Sequence, residues 1–233
     1  EIRKKKRSGI LSKRRYESIR TRSSTLSSNE APKIVSELGE LCNASQIQFS
    51  DLARTARLLE LFKSLGLILQ HAEPLSVVVH ELLNSGIQSL LVAALSHFEL
   101  PLIQAEAASV LASLAAAEPI SQANGENLSL AVMLSAGTDL IPTLITVLQR
   151  SQSIRARECA AWCLGNLAAD SDGSNLRASI FLCKGALPTL IECAHGRDKS
   201  SGGSNSCHSL KLKRQATFAL ANLCRGADLR STT

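Results

Sequence analysis

Apolar residues recur at helical spacing along most of the chain. From residue 51 onward, in stretches such as "LARTARLLELFKSLGLIL", apolar positions return every three or four residues, which is the period of an amphipathic helix. The stretch "RSSTLSSNEAPK" is rich in serine and lacks this period, so we predict that residues 23–50 form a linker. The pattern therefore predicts a helical body that begins near residue 51.

The predicted helices repeat in units of three. Long segments that end alike align Leu111 with Leu164 and Leu220: "QAEAASVLASLAAAE", "RARECAAWCLGNLAAD" and "LKRQATFALANLCRGAD". Each follows a shorter segment that opens after a glycine, and "PTLI" recurs there at Pro142 and Pro188. Another short apolar stretch precedes each glycine. Each unit is therefore predicted to contain a short helix, a glycine turn, a second helix, a loop and a long third helix.

The spacing and stacking of the units predict the fold. The aligned leucines are 53 and 56 residues apart, more than the about 40–47 residues of armadillo and HEAT units. The loop-like stretches "EPISQANGEN" and "GRDKSSGGSNSCHS" account for the excess. Because one unit cannot bury its own apolar faces, neighbours must stack. We predict an all-α, right-handed armadillo-repeat superhelix (an α-solenoid) whose third helices line a concave surface. Its predicted regions are 51–117, 118–170 and 171–233, and we expect further repeats after Thr233.

Composition and charge separate a tail from this body. Aromatic residues are only 3% of the chain, so the core must be aliphatic, which favours helices over strands. Residues 1–22 hold ten basic and two acidic residues, a net charge of +8, whereas the rest of the chain has a net charge of −2. We predict that this basic tail, helical or disordered, binds an acidic partner or its own body.

Several classes of function find no support in the residues. The five histidines form no nucleophile or metal arrangement, and "SSGGSNS" lacks the Gly-Lys-Ser/Thr ending of a phosphate loop. The seven cysteines include no CxxC pair and are predicted to be reduced, mostly buried thiols. The apolar runs are shorter than the about 18 residues of a membrane helix. We predict no enzyme, metal, cofactor or membrane contact.

The single tryptophan marks a possible binding face. Trp162, Asn166 and Asp170 lie four residues apart, so they stack along one side of a helix. An indole can cover the stem of Lys or Arg and attract its cation, an amide can hold a peptide backbone, and a carboxylate can pair with a lysine. The alternative is that Trp162 packs internally and Asn166 is an ordinary solvated amide. The predicted core-facing residues of this helix are Ala160, Cys163, Leu164 and Leu167.

About 130 residues, roughly 104–228, resemble the armadillo family and, more narrowly, importin alpha, through "CAAWCLGNLAAD" and "QATFALANLCRG". This resemblance implies a groove for the basic nuclear localisation signals of cargo proteins, with Trp162 and Asn166 in its ladder and Asp170 binding the key lysine. Asn222 takes the asparagine place in the last unit, and Phe218 replaces the tryptophan. The first unit departs from the pattern, with Ser109 and Ser113 where Trp and Asn would be.

The tail carries a second part of the same resemblance. "IRKKKRSGILSKRR" is similar to the importin-beta-binding domain of importin alpha, with Ile in place of Leu at residue 2. The matched residues that this implies for importin beta binding are Arg3, Lys4, Lys6, Arg7, Leu11, Lys13, Arg14 and Arg15. The resemblance further implies that residues 13–15 can occupy the chain's own groove until importin beta removes them, and that the protein works in the cytoplasm and the nucleus.

Two other functions remain open from the sequence. One is a non-transport armadillo scaffold, or a diverged importin-alpha-like protein with other partners. Nucleic acid binding is a weaker alternative, because the tail has Tyr16 as its one aromatic residue and the body is net acidic.

Overall fold

The computed structural model describes residues 31–43, 52–71, 75–117, 120–121, 127–169, 174–196 and 209–225. The basic tail and Asp170 lie outside these residues. The helices are α1 (Ala31–Asn43), α2 (Leu52–His71), α3 (Leu75–Asn84), α4 (Ile87–Leu95), α5 (Pro101–Ala115), α6 (Leu130–Ser135), α7 (Leu140–Arg150), α8 (Ile154–Ala169), α9 (Ser174–Leu182), α10 (Ala186–His195) and α11 (Leu210–Leu223).

Three consecutive groups of helices have the predicted order of two short helices and a long one: α3–α5, α6–α8 and α9–α11. Between the first and second helix of each group lies one glycine. Gly86, Gly137 and Gly185 have φ angles of 79°, 66° and 83°, a left-handed backbone that residues with a side chain adopt with difficulty. The predicted glycine turns are therefore confirmed.

The long third helices stack side by side. Helix α8 packs against α5 on one side and α11 on the other, and α2 continues the stack beyond α5. Leu111 and Leu164 are fully buried, and Leu220 is partly buried against the same aliphatic core. Stacked three-helix units with one continuous core form an α-solenoid, which confirms the predicted fold class. We call α5, α8 and α11 the third-helix row.

The linker prediction for residues 23–50 is wrong for residues 31–43. These residues form α1, which buries Ile34, Val35 and Leu38 and packs on α2. Arg57 of α2 donates hydrogen bonds from Nε and Nη2 to the Glu37 carboxylate, at 2.5 and 2.9 Å. The three apolar residues share one helical face, a short stripe that the surrounding serine and glycine obscured.

The junction "EPISQANGEN" was expected to be a loop, but part of it pairs. Strand β1 (Ile120–Ser121) and strand β2 (Asn127–Leu128) form a two-residue antiparallel ladder. It comes just before α6, whose first turn is capped by the Ser129 hydroxyl, which accepts a hydrogen bond from the Val132 N–H. The junction is thus closed at its base by backbone hydrogen bonds.

A polar contact recurs at the corner between second and third helices. Gln104 Nε2 donates to the Leu95 carbonyl at 2.6 Å, and Arg157 Nε donates to the Leu148 carbonyl at 3.0 Å. Both side chains are buried. Each satisfies a carbonyl near a helix end, where the helix supplies no partner of its own. These bonds fix how α5 leaves α4 and how α8 leaves α7. Among the described residues, no single helix is long and apolar enough to cross a membrane.

Candidate peptide-binding surface

Helix α8 presents Trp162 and Asn166 at the edge of the core. Its predicted core-facing residues are confirmed, since each is fully buried: Ala160, Cys163, Leu164 and Leu167. Trp162 and Asn166 are instead half-buried, and Trp162 packs partly against the core. The indole is therefore both a packing residue and a partly open surface.

The two asparagines tie neighbouring third helices together. Asn166 Nδ2 donates to the Ala112 carbonyl on α5 at 3.2 Å, and Asn222 Nδ2 donates to the Gly165 carbonyl on α8 at 2.9 Å. Ala112 and Gly165 hold equivalent places, because each is the residue after an aligned leucine. Sequence reasoning assigned these amides to a ligand and missed the bonds between helices.

Asn222 differs from Asn166 in exposure. Its side chain is fully buried, and its Oδ1 has no hydrogen-bond partner among the residues that the structure describes. A buried carbonyl oxygen without a partner is unfavourable. Of the two amides, only Asn166 is partly accessible to a peptide in this structure.

Phe218 lies directly over the α8 backbone at Gly165. A Cβ atom added to Gly165 would lie 2.4 and 2.7 Å from two ring carbons of Phe218. Glycine is therefore required for this close approach, which also brings Asn222 within reach of the Gly165 carbonyl. Phe218 is half-buried, so part of the ring packs on α8 and part faces outward.

The carboxylates of the third-helix row are already paired. Glu106 on α5 pairs with Arg155 on α8 at 3.0 Å, and Glu158 on α8 pairs with Lys211 on α11 at 3.4 Å. The Glu158 carboxylate also accepts a hydrogen bond from the Ser209 hydroxyl. The glutamate side chains are only 12% and 13% exposed. The described row therefore offers no unpaired carboxylate to a basic ligand.

The first unit presents small polar side chains. Ser109 and Ser113 are half-buried, and the Ser113 hydroxyl donates to the Ser109 carbonyl at 3.1 Å. These residues are one turn apart on α5, beside the part of α8 that carries Trp162 and Asn166. On the α5 side of the Trp162 indole, these positions therefore offer neither an aromatic ring nor a side-chain amide to a ligand.

Five of the described cysteines take part in no disulfide: Cys159, Cys163, Cys183, Cys193 and Cys224. Cys159, Cys163 and Cys193 are buried, whereas Cys224 is exposed. Burial raises the pKa of both the Cys159 and the Cys163 thiols, so they stay protonated and unreactive. The described part of the chain holds no group of three His, Cys, Asp or Glu residues that could bind a metal.

Comparisons with known proteins find similar curated proteins but no matching family model. No family model matches. The chain is 30% identical over 148 residues to importin subunit alpha-6 of Arabidopsis thaliana, which is 64% of this chain and 23% of that protein. It is 29% identical over 148 residues to importin subunit alpha-1b of Oryza sativa subsp. japonica, with the same coverage, and 29% identical over 129 residues to probable importin subunit alpha-A of Dictyostelium discoideum, which is 54% of this chain and 21% of that protein. The matched segment thus spans less than a quarter of each relative. The chain is thus similar in sequence to importin alpha subunits over about two thirds of its own length or less, and this similarity supports a relationship to that armadillo-repeat family.

Proposed function

We propose that this protein is a nuclear import adaptor, without catalytic activity or cofactor, that moves between the cytoplasm and the nucleus. In this proposal the third-helix row binds an extended basic segment of a cargo protein, and the tail binds importin beta. The observation that carries the cargo part is the half-buried Trp162 with Asn166 one turn further along the same edge of α8.

The chemistry of that edge suits an extended peptide with a lysine or arginine. The open part of the indole would cover the aliphatic stem and attract the cation, a contact worth about 0.5–2 kcal/mol. Asn166 uses one N–H for the Ala112 carbonyl, which leaves its Oδ1 to accept a peptide N–H. Because both row glutamates are paired, Asp170 is the carboxylate that we propose for the lysine head group.

We expect Trp162→Ala and Asp170→Ala to weaken binding of a lysine-bearing localisation peptide. Loss of a charged hydrogen-bond partner costs about 1.5–3 kcal/mol, roughly ten- to a hundredfold in affinity. Fluorescence anisotropy with a variant lacking residues 1–22 would measure this without competition from the tail. A peptide with that lysine replaced by alanine should lose most of its sensitivity to Asp170→Ala.

Matched controls lie elsewhere on the surface. Phe181 is an aromatic residue of α9 that is 58% exposed, and Asp139 is an exposed carboxylate at the start of α7. Phe181→Ala and Asp139→Ala should leave peptide affinity unchanged. If Trp162→Ala and Asp170→Ala have no more effect than these controls, the row is not the cargo site.

The tail proposal rests on charge and on the resemblance described above. Residues 1–22 have a net charge of +8, which suits an acidic surface such as the one that the resemblance implies for importin beta. Its binding should weaken steeply with added salt, as titration at two ionic strengths would measure. A peptide of residues 1–22 that fails to bind importin beta at low salt would remove this part of the proposal.

A non-transport scaffold is the second candidate. The buried amide of Asn222 and the serines of the first unit both reduce the surface that a localisation signal could use. A scaffold would use the stacked helices for other partners and would not respond to Trp162→Ala in a localisation-peptide assay.

A further inference from the structure

One position of the third helices differs between units by a single methyl group. Ala112 on α5 and Gly165 on α8 each follow an aligned leucine. The carbonyl of each accepts a hydrogen bond from an asparagine of the next third helix, at 3.2 and 2.9 Å. The two positions are therefore structurally equivalent, and the difference between alanine and glycine can be compared directly.

At Gly165 the space of the absent methyl group is filled by the Phe218 ring. A Cβ atom on Gly165 would lie 2.4 and 2.7 Å from two ring carbons, whereas carbon atoms in ordinary contact are about 3.5–4.0 Å apart. The ring therefore packs closer to the α8 backbone than it could over any residue with a side chain. This contact lies between two helices that the structure describes.

Trp162 takes the place of Phe218 one unit earlier. Each aromatic residue precedes its asparagine by four positions and so lies one turn before it on the same side of the helix. The residue of α5 that corresponds to Gly165 is Ala112, which is fully buried. Because Ala112 has a Cβ atom, a ring over it must stand roughly 1 Å further from its helix than Phe218 stands from α8.

We propose that Ala112 is a positioning residue for Trp162. Its Cβ atom holds the indole away from the α5 backbone and keeps the ring half-buried, with part of it open to a ligand. Gly165 has the opposite role, because it lets the Phe218 ring pack down against α8. The inference rests on the proposed function, and it assigns the aromatic contact with a basic peptide to Trp162 and not to Phe218.

The position of the ring can be measured without a ligand, because Trp162 is the single tryptophan of the chain. In Ala112→Gly the indole should pack closer to α5, so its fluorescence emission should shift to shorter wavelength and acrylamide should quench it less. In Ala112→Val the larger side chain should push the ring outward, with the opposite shift and more quenching. Emission that stays unchanged in both variants would overturn the inference.

Ala105→Gly is the matched control. Ala105 is buried and lies on the same side of α5 as Ala112, two turns or about 10 Å earlier. This variant also removes a buried methyl group and adds the same backbone freedom to the helix, so a general effect of glycine would appear in both variants. Circular dichroism would confirm that the compared proteins are folded. An emission shift in Ala105→Gly as large as that in Ala112→Gly would overturn the inference.

Peptide binding separates this inference from the proposed function. We expect Ala112→Gly to weaken binding of a fluorescein-labelled hexalysine peptide to the full chain at least about threefold, because part of the cation–π contact is lost. Ala105→Gly and Phe218→Ala should leave the affinity unchanged, as fluorescence anisotropy would measure. A loss in Phe218→Ala as large as that in Trp162→Ala would overturn the assignment of the contact.

The two proposals can fail separately. If Trp162→Ala weakens hexalysine binding while the Ala112 variants leave the emission unchanged, the inference is wrong and the proposed function stands. If the emission shifts as expected but Trp162→Ala does not affect hexalysine binding, Ala112 does position the indole and the proposed cargo site is wrong.

Discussion

Helices α8 and α11 occupy equivalent places in consecutive units and make equivalent contacts, yet their exposed edges differ. Each is tied to the preceding third helix by an asparagine amide and by an ion pair with a glutamate. On α8 the edge carries Trp162 and Glu158, whereas on α11 the matching positions carry Phe218 and Arg214. The contacts that tie neighbouring third helices together are thus the same in both units, although the exposed side chains differ.

The largest expected difference in stability between variants of the two units comes from substituting their asparagines. At pH 7, Asn222→Asp should lower the free energy of unfolding by about 3–5 kcal/mol, because it leaves an unpaired charge buried against the Gly165 carbonyl. Asn166→Asp should cost only about 1 kcal/mol, since Asn166 is half-exposed. Urea unfolding followed by circular dichroism would compare them.

The pH dependence gives this comparison an internal check. Burial disfavours the charged form of the introduced carboxyl at residue 222, so its pKa in the folded state is raised above the unfolded value. A raised pKa favours the folded state at low pH, and that benefit is lost as pH rises through the folded pKa. The Asn222→Asp protein should therefore recover stability on acidification. Similar losses for both variants at every pH would show that the two amides have equivalent surroundings.

Glycine substitutions should give an intermediate effect. Gly165→Ala forces a methyl group against the Phe218 ring and should destabilise the protein by about 1–3 kcal/mol. Gly66 on α2 is a matched control, because a Cβ atom there meets nothing within 4 Å, and Gly66→Ala should stabilise by about 0.5–1 kcal/mol. Thermal unfolding would measure both. A Gly165→Ala protein that is as stable as Gly66→Ala would contradict the close approach of α11 to α8.

The smallest loss of stability should come from removing the ion pairs. Glu106→Gln and Glu158→Gln each remove one pair whose cation is exposed, a loss of about 0.2–1 kcal/mol. Glu158→Gln should cost more, because Glu158 also accepts the Ser209 hydroxyl. Urea unfolding at low salt and at about 1 M salt should show both losses shrinking as screening increases. Losses that are unaffected by salt would contradict an electrostatic origin.

The sequence predicted the repeating architecture well because periodicity and glycine turns are local signals. The helical period, the aligned leucines and Gly86, Gly137 and Gly185 each depend on nearby residues. Helix α1 was missed because its apolar stripe, Ile34, Val35 and Leu38, is too short to stand out beside a serine-rich stretch.

The site was harder to predict because its properties depend on pairs of residues that are distant in sequence. The core-facing side of α8 could be read from spacing alone. The bond between Asn222 and Gly165 joins residues 57 positions apart, and nothing in the periodicity marks it. The charges of Glu106 and Glu158 are likewise visible in the sequence, but their partners Arg155 and Lys211 are not. The roles of Trp162, Asp170 and the basic tail stay predictions.

The helices of the row are held together by different interactions at their N-terminal and C-terminal ends. The two ends should therefore respond differently to added salt. Near the starts of the third helices the links are partly exposed ion pairs, and near their ends the links are hydrogen bonds from uncharged amides, one part-buried and one buried. Ions in solution weaken the first kind of link far more than the second. Added salt should therefore increase the distance between neighbouring third helices at their N-terminal ends. The distance at their C-terminal ends, where the asparagines lie, should stay the same.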